Sequence, residues 1–369
     1  MDALILTCGM GGGHNAAAAA IAEELTGQGD RAVMMNPYTL CGERIEKRIN
    51  GTYISTVQHC PPLFGLVYLL GEMYRRLPFR SPVYFLNKAA AAYLADYLER
   101  EHFDVVITTH LFPGEILTWL KNHGVTVPPV LFVATDYTCI PFTEEIDCEA
   151  YVVPHEELIE EFVSRGIPKD RIYPLGIPVQ ASFRRPGTCA EAKAALGLEE
   201  NTDYLLLAGG SMGAGKISPI VRKLLTLCDD RVRLIVVCGS NRKLYAKLRQ
   251  KYGDTIILLQ STDRMAEYIR ASRIYFTKPG GLSSTEAAVM SALTVHLPPI
   301  PGCETRNARF FAGHGMSHRL KCSKKGISRA LAMAEDPRVR DEMNRNQREI
   351  IHADACAEVC GLARRMDLF

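Results

Sequence analysis

The sequence predicts an α/β protein made of two doubly wound, parallel-sheet domains. Three observations carry that expectation. Short apolar runs alternate with helical patterns along most of the chain, and such alternation implies right-handed crossovers and parallel sheets covered by helices on both faces. Two stretches open alike: LILTCGMGGGHNAAAAAIAEEL from Leu4 and YLLLAGGSMGAGKISPIVRKLL from Tyr204 each run from an apolar strand through a glycine-rich turn into a helix. Between them PLGIPVQASFRRPGT, rich in Pro, Gly and Arg, reads as a linker. A chain of 369 residues accommodates two such domains.

In the first half the strand runs are Ala3–Thr7, Ala32–Asn36, Asp104–Thr108, Val130–Ala134, Ala150–Val153 and Arg171–Leu175. The helical patterns between them cover Asn15–Leu25, Val83–Arg100, Pro113–Asn122 and His155–Arg165. In the second half strands are expected at Tyr204–Ala208, Leu234–Cys238, Ile256–Leu259, Ile274–Thr277 and Val295–Leu297. Helices are expected at Ile217–Leu227, Arg242–Tyr252, Met265–Ala271, Ser283–Ala292 and Arg306–Gly313. The domains are drawn at 1–180 and 181–340, with 341–369 as a polar C-terminal helix that straps the surface and packs back on the first domain.

Composition narrows the function classes. Lys and Arg total 43 against 41 Asp and Glu, a net charge of +2 that argues against a general nucleic-acid coat and leaves room only for a local basic patch. With 47% hydrophobic and 23% charged residues the chain reads as globular, not disordered. The N-terminus MDALILTCGMGGGH has no basic region followed by a cleavage site, so no secretory signal is expected. The run Leu63–Leu70 is far shorter than the ~20 residues of a spanning helix. Twelve cysteines without a C-x-x-C pair fit a reduced, cytoplasmic protein with neither a disulfide framework nor a zinc site. Residues 51–82 break the pattern: they are aromatic and apolar and end in arginines. They read either as an interfacial segment that meets anionic headgroups or as an ordinary buried helix.

The chemistry gathers in four loops. The first, GMGGGH at 9–14, satisfies the dinucleotide spacing with Gly11, Gly13 and Ala16, but Asn36 and Pro37 stand where that motif needs an acid. His14 sits at the top of a strand, where ligands bind in open α/β sheets, and a neutral imidazole there can take a proton from a hydroxyl. The alternative is a histidine that caps a helix. The second loop, Gly209-Gly210-Ser211-Met212-Gly213, offers backbone amides suited to a diphosphate and lacks the triphosphatase pattern. In the third, TKPGGLSSTEAAVMSA at 277–292, Ser283 and Ser284 open a helix whose first turn holds Glu286, a carboxylate able to bind a ribose diol or merely to meet the helix dipole. In the fourth, PPIPGCETRNARFF at 298–311, Glu304 and Asn307 share one helical face.

In order along the chain, GGGH at 11–14, TDY at 135–137, Gly-Ile-Pro at 166–168 and 176–178, GGSMG at 209–213, PGGLSSTEA at 279–287 and PGCETRN at 301–307 resemble the monogalactosyldiacylglycerol synthase and processive diacylglycerol β-glucosyltransferase family. The chain looks more distantly like the N-acetylglucosaminyltransferase of lipid-linked peptidoglycan precursors. The resemblance implies a GT-B fold, two Rossmann-like domains facing a cleft, with the lipid acceptor on the first and the donor nucleotide on the second. It implies inverting transfer of a hexose from UDP-glucose or UDP-galactose to diacylglycerol by a peripheral protein on the inner face of the cell membrane. His14 then matches the general base, and Gly11, Gly12 and Gly13 the acceptor loop. Gly210, Ser211 and Gly213 face the diphosphate, Thr262 and Met265 the uracil, and Glu286 the ribose. Gly280, Gly281, Ser283 and Ser284 complete the donor loop, while Glu304 and Asn307 lie near the sugar. Phe64, Tyr68, Arg75, Arg76 and Arg80 are the expected membrane contacts. Cys303 stands where the family often has glutamine and cannot make its amide hydrogen bonds, which leaves the sugar open.

Inversion needs one in-line attack and hence one base. Asp136, after an apolar strand, is expected to orient His14 or anchor the acceptor. The leaving diphosphate must be stabilised by metal or by amides and a helix dipole. No Asp-x-Asp pair occurs, so the amide route is expected, with no metal and no cofactor. A UDP-sugar epimerase of the same fold and an inactive lipid- or nucleotide-binding relative are the alternatives.

Overall fold

A computed structural model describes residues 1–9, 11–42, 61–229 and 231–366, with backbone alone at 61–64. The chain forms two compact units: Met1–Ala181 with Pro301–Cys303 and His352–Phe369, and Ser182–Ile300 with Glu304–Ile351.

The first unit is built on β1 (Asp2–Leu6), β2 (Arg31–Met35), β3 (Val105–Thr108), β4 (Val130–Val133), β5 (Ala150–Val152) and β6 (Ile172–Tyr173). They pair in parallel in the order β2-β1-β3-β4-β5-β6, with Leu4 opposite Val33 on one side and Val106 on the other. β3 and β4 are continuous apolar runs because helices cover both faces, and every residue in them is buried. β2 is an edge strand, and its Arg31 and Met34 are exposed. Helix Gly12–Gly27 lays Ala18, Ile21 and Leu25 on the sheet. Complete burial of Ile21 or Leu25 is worth about 2 kcal/mol each.

The second unit carries β7 (Asp203–Ala208), β8 (Val232–Val237), β9 (Ile257–Leu259), β10 (Ile274–Thr277), β11 (Thr294–His296) and β12 (His318–Arg319). Their order is β12-β11-β10-β7-β8-β9, again all parallel. Helix Ile217–Leu227 buries Ile217, Ile220, Val221 and Leu224 against Leu205, Leu207, Leu234 and Val236.

Four local expectations change. The helix expected over Val83–Arg100 is two, Pro82–Leu86 and Lys88–Arg100. The junction residue Asn87 is buried and accepts the Tyr38 hydroxyl, a partner far away in sequence. His155–Arg165 opens as a 3-10 turn at Glu156–Leu158 before the helix Ile159–Val163. The strand at Arg171–Leu175 shrinks to Ile172–Tyr173. The C-terminal strap is two helices, Pro337–Ile350 and Ala355–Met366. The second is no surface element: Val359, Cys360, Leu362, Ala363 and Met366 belong to the core of the first sheet. Its Arg364 donates to Asp30 at 2.5 and 3.1 Å, and the Met1 amine reaches the same carboxylate at 3.1 Å.

Candidate functional site

Each sheet reverses its strand order once, between β1 and β3 in the first unit and between β7 and β10 in the second. Loops leaving the carboxyl ends of such neighbouring strands diverge to opposite faces and open a crevice. The predicted loops stand at these two junctions.

At the first, Gly11 precedes helix Gly12–Gly27 with φ +96°, a conformation that favours glycine. The helix begins three residues earlier than expected, so His14 lies in its first turn. The half-buried His14 ring meets the end of β3: its Nδ1 lies 2.7 Å from the Thr109 carbonyl oxygen and 2.8 Å from Thr135 Oγ1. A carbonyl only accepts, so Nδ1 carries the proton and Nε2 keeps the lone pair. In return, Thr109 Oγ1 donates to the His14 carbonyl at 3.0 Å. Burial holds the His14 pKa below its usual value, and the nearby Asp136 charge and the Thr109 bond oppose that shift. Half-buried Asp136 and His14 line a narrow cavity of about 10 Å³ with Thr109, Thr135 and Phe132.

Sequence reasoning missed His110. Its Nδ1 accepts the Phe112 amide at 3.1 Å and caps helix Leu111–Asn122. Its ring stands edge-on to His14, centroids 4.5 Å apart. Burial, then the neighbouring His14, pushes its pKa well below the usual value. A neutral His110 therefore walls the His14 ring without adding charge. The available signal was Thr-Thr-His ending a strand just ahead of a helix.

At the second junction the GGSMG loop is a turn in its own right, and the following helix starts only at Ile217. Gly213 donates to the Gly210 carbonyl at 3.0 Å. A Cβ at 213 would lie 1.8 Å from the Cys238 carbonyl oxygen, so this glycine serves packing. Gly210 is half-buried and Ser211 exposed. Beneath Gly210 runs Lys278, which follows β10, and a Cβ at 210 would lie 3.1 Å from its Cε. Lys278 Nζ donates to Glu304 Oε1 at 2.6 Å in a nearly buried ion pair. The other oxygen, Glu304 Oε2, accepts the Ile300 amide at 2.8 Å. Lys278 also escaped the sequence reading, because only the fold shows that it braces two predicted loops.

Several predicted donor residues sit differently from expectation. Ser284 is 1% exposed and its hydroxyl is bonded to His296 Nε2 at 3.0 Å, so it belongs to the packing. Asn307 is fully buried and donates to the Pro279 carbonyl at 3.1 Å; it braces the Pro-Gly-Gly turn. Helix Gly281–Val289 starts two residues early, which moves Glu286 into the second turn. Burial raises its pKa to about 8. Gly281 is buried, while Gly280, Ser283, Thr262 and Met265 are half-buried, Thr262 accepting the Arg264 amide at 3.0 Å. Cys303 opens helix Cys303–Gly313 and is half-buried.

The apolar segment is no buried helix. Leu66, Val67, Leu69, Leu70 and Met73 on helix Pro61–Tyr74 are exposed, as are Leu77, Phe79, Phe85 and Leu86. Tyr68 is half-buried, and the Phe64 side chain lies outside the described residues. Arg75 is engaged by Glu72 at 2.9 Å and Glu144 at 3.5 Å. Arg80 donates to the Glu145 carbonyl at 2.7 Å and lies over the Tyr84 ring, and Arg76 is exposed. No helix among the described residues is long and apolar enough to cross a membrane. Beneath the segment, Glu115 is fully buried on helix Leu111–Asn122. Burial, then the neighbouring Glu145, raises its pKa to about 9.

Two Rossmann-like units in series, each with ligand-type loops at its strand-order reversal, define the GT-B fold. Residues 14–179 match the profile of monogalactosyldiacylglycerol (MGDG) synthase, and residues 204–359 that of the glycosyltransferase family 28 C-terminal domain. The chain is 24% identical over 352 residues to the processive diacylglycerol β-glucosyltransferase of Bacillus pumilus, covering 94% of this chain and 90% of that protein. It is 27% identical over 255 residues to the Staphylococcus carnosus protein of the same name, covering 69% and 63%. Among solved structures, MurG of Acinetobacter baumannii aligns with a TM-score of 0.63 at 16% identity over 99% of this chain and all of that one. The UDP-GlcNAc 2-epimerase of Neisseria meningitidis aligns at 0.66 and 13% over the same shares. The chain thus joins a monogalactosyldiacylglycerol synthase domain to a glycosyltransferase family 28 C-terminal domain, and along nearly its whole length it is similar to processive diacylglycerol β-glucosyltransferases.

Proposed function

We propose that this glycosyltransferase moves a hexose from a UDP-sugar to the free hydroxyl of diacylglycerol with inversion, and that His14 is the general base. The observation that carries the reading is the Thr109 carbonyl on Nδ1, which leaves Nε2 as the basic nitrogen. The acceptor proton passes to Nε2 while the acceptor oxygen bonds to the anomeric carbon and the bond to UDP breaks. The low His14 pKa keeps the ring neutral and ready at physiological pH. Asp136 favours the imidazolium that forms. The amide-rich turn of half-buried Gly210 and exposed Ser211 is suited to the departing diphosphate. Glu286 takes the ribose hydroxyls in this reading, and no step is assigned to a metal. The exposed apolar side chains between Leu66 and Leu86 support docking on a bilayer, the source of the acceptor.

Incubation with diacylglycerol vesicles and each of UDP-glucose and UDP-galactose, with mass analysis of the lipids, tests the reading. Lipid-dependent UDP release and a hexosyl lipid are expected. Isomerised UDP-sugar without lipid defeats it in favour of an epimerase, and neither product defeats it in favour of a binding protein.

A further inference from the structure

The second unit holds a cavity of about 540 Å³ at the end of its sheet opposite the glycine-rich turns. Its walls include the first residues of β7 and the residues just ahead of β10 and β11. It therefore opens at the amino ends of the strands, whereas the loops of the candidate site leave the carboxyl ends. Arg184, Arg185, Arg270, Arg273, Arg340 and Lys193 line it, and Asp203 is the only carboxylate among its lining residues.

That single acid is already engaged. Asp203 accepts Arg273 at 2.7 Å, and Arg273 is further paired with Glu335 at 2.6 Å. Lys193 donates to the Glu200 carbonyl at 2.8 Å. Among the described residues no ion pair is recorded for Arg185, Arg270 or Arg340. Arg270 is held in place by backbone, donating to the Arg185 carbonyl at 2.7 Å. The missing side chain at Gly187 admits its guanidinium, since a Cβ there would lie 3.2 Å from Nε. Glu191, the acid nearest Arg185 in sequence, is bonded to Thr188, and its charge also acts on Arg270. Three guanidinium groups brought from three separate segments into one concavity repel one another unless an anion joins them. Forked guanidinium donors match phosphoryl oxygens best, and the space exceeds one phosphate group. Ser291 stands in the same wall with φ +53°, a left-handed conformation unusual for a residue other than glycine.

We propose that this cavity binds a phosphoryl anion, a diphosphate or phosphate ester carried by a small molecule or a lipid headgroup. The full chain is titrated with inorganic pyrophosphate and, separately, with UDP. Vesicles of phosphatidylcholine with one quarter phosphatidylglycerol are sedimented in parallel. Three proteins are compared: wild type, the double variant Arg270→Gln with Arg340→Gln, and Ser291→Asp, which brings a negative charge to the wall at a position whose backbone aspartate tolerates. Pyrophosphate affinity falls about tenfold or more in both variants, while UDP affinity is unchanged. If vesicle binding falls with it, the natural phosphate is a headgroup; if vesicle binding is unaltered, it is a soluble ester. Pyrophosphate binding equal in all three proteins, or absent from wild type together with variant-insensitive vesicle binding, overturns the site. Should the double variant fail to fold by circular dichroism, Ser291→Asp alone decides.

Discussion

The two strand-order reversals solve one topological problem with opposite electrostatics. At the β1–β3 junction the loops meet through a neutral imidazole, a backbone carbonyl and hydroxyls, with a second uncharged histidine behind. At the β7–β10 junction Lys278 runs beneath the β7 loop and forms a nearly buried pair with Glu304, from beyond β11. The fold supplies a crevice at both places, and the residue types decide the chemistry. A proton acceptor must be uncharged at rest, so burial without a strong countercharge suits it. In the function proposed above, the second junction clamps a charged donor, and a fixed cation paired to a rigid carboxylate suits that task.

Four experiments sharpen or break that contrast. His14→Ala should lower turnover by about a thousandfold and leave UDP affinity within a factor of two. Preserved turnover would mean that the first junction holds no base. Lys278→Met should reduce kcat/KM for the donor roughly 30-fold, a loss of ~2 kcal/mol, because Glu304 is left buried without its cation. Glu304→Gln should cost a similar amount and the double variant little more; fully additive losses would show that the two do not act as a pair. Asp136→Asn acts through pH. As the proposed base, His14 would work when neutral, so the acidic limb of kcat/KM should follow its pKa, which burial already places below ~6.5. Removing the Asp136 charge takes away a stabiliser of the imidazolium, so the limb should move to still lower pH. A limb that stays or rises contradicts the coupling.

The smallest effect lies outside both junctions and tests whether a buried acid without function merely costs stability. Glu115 holds its proton up to about pH 9 when folded, while the unfolded chain releases it near ~4.3. Its stabilising contribution is therefore complete below pH 4 and declines as pH rises toward 9. Glu115→Gln should raise the unfolding temperature by about 2–4 °C at pH 8 and change nothing at pH 4. An equal gain at both pH values would trace the effect to packing.

Much of this was legible in the residues. Continuous apolar runs such as Leu4–Leu6 and Val105–Ile107 announce strands covered on both faces. The paired glycine-rich turns announce the junctions. What stayed hidden depends on partners remote in sequence. The break at Asn87 answers to Tyr38. Ser284 and Asn307 look like site residues until His296 and Pro279 claim their polar groups. His110 and Lys278 acquire meaning only when strands distant along the chain become neighbours. The polar character of residues 341–350 masked the switch to a buried pattern at Ala355.

The return of that last helix has a consequence for biosynthesis. The sheet face that Val359, Cys360 and Met366 cover is made of residues translated long before that helix. Those residues must wait, with an apolar surface uncovered, while the whole of the middle of the chain is translated. The inserted half can reach its native state during that interval, so nascent chains stalled near residue 350 should recruit chaperones at the N-terminal sheet and not at the C-terminal one.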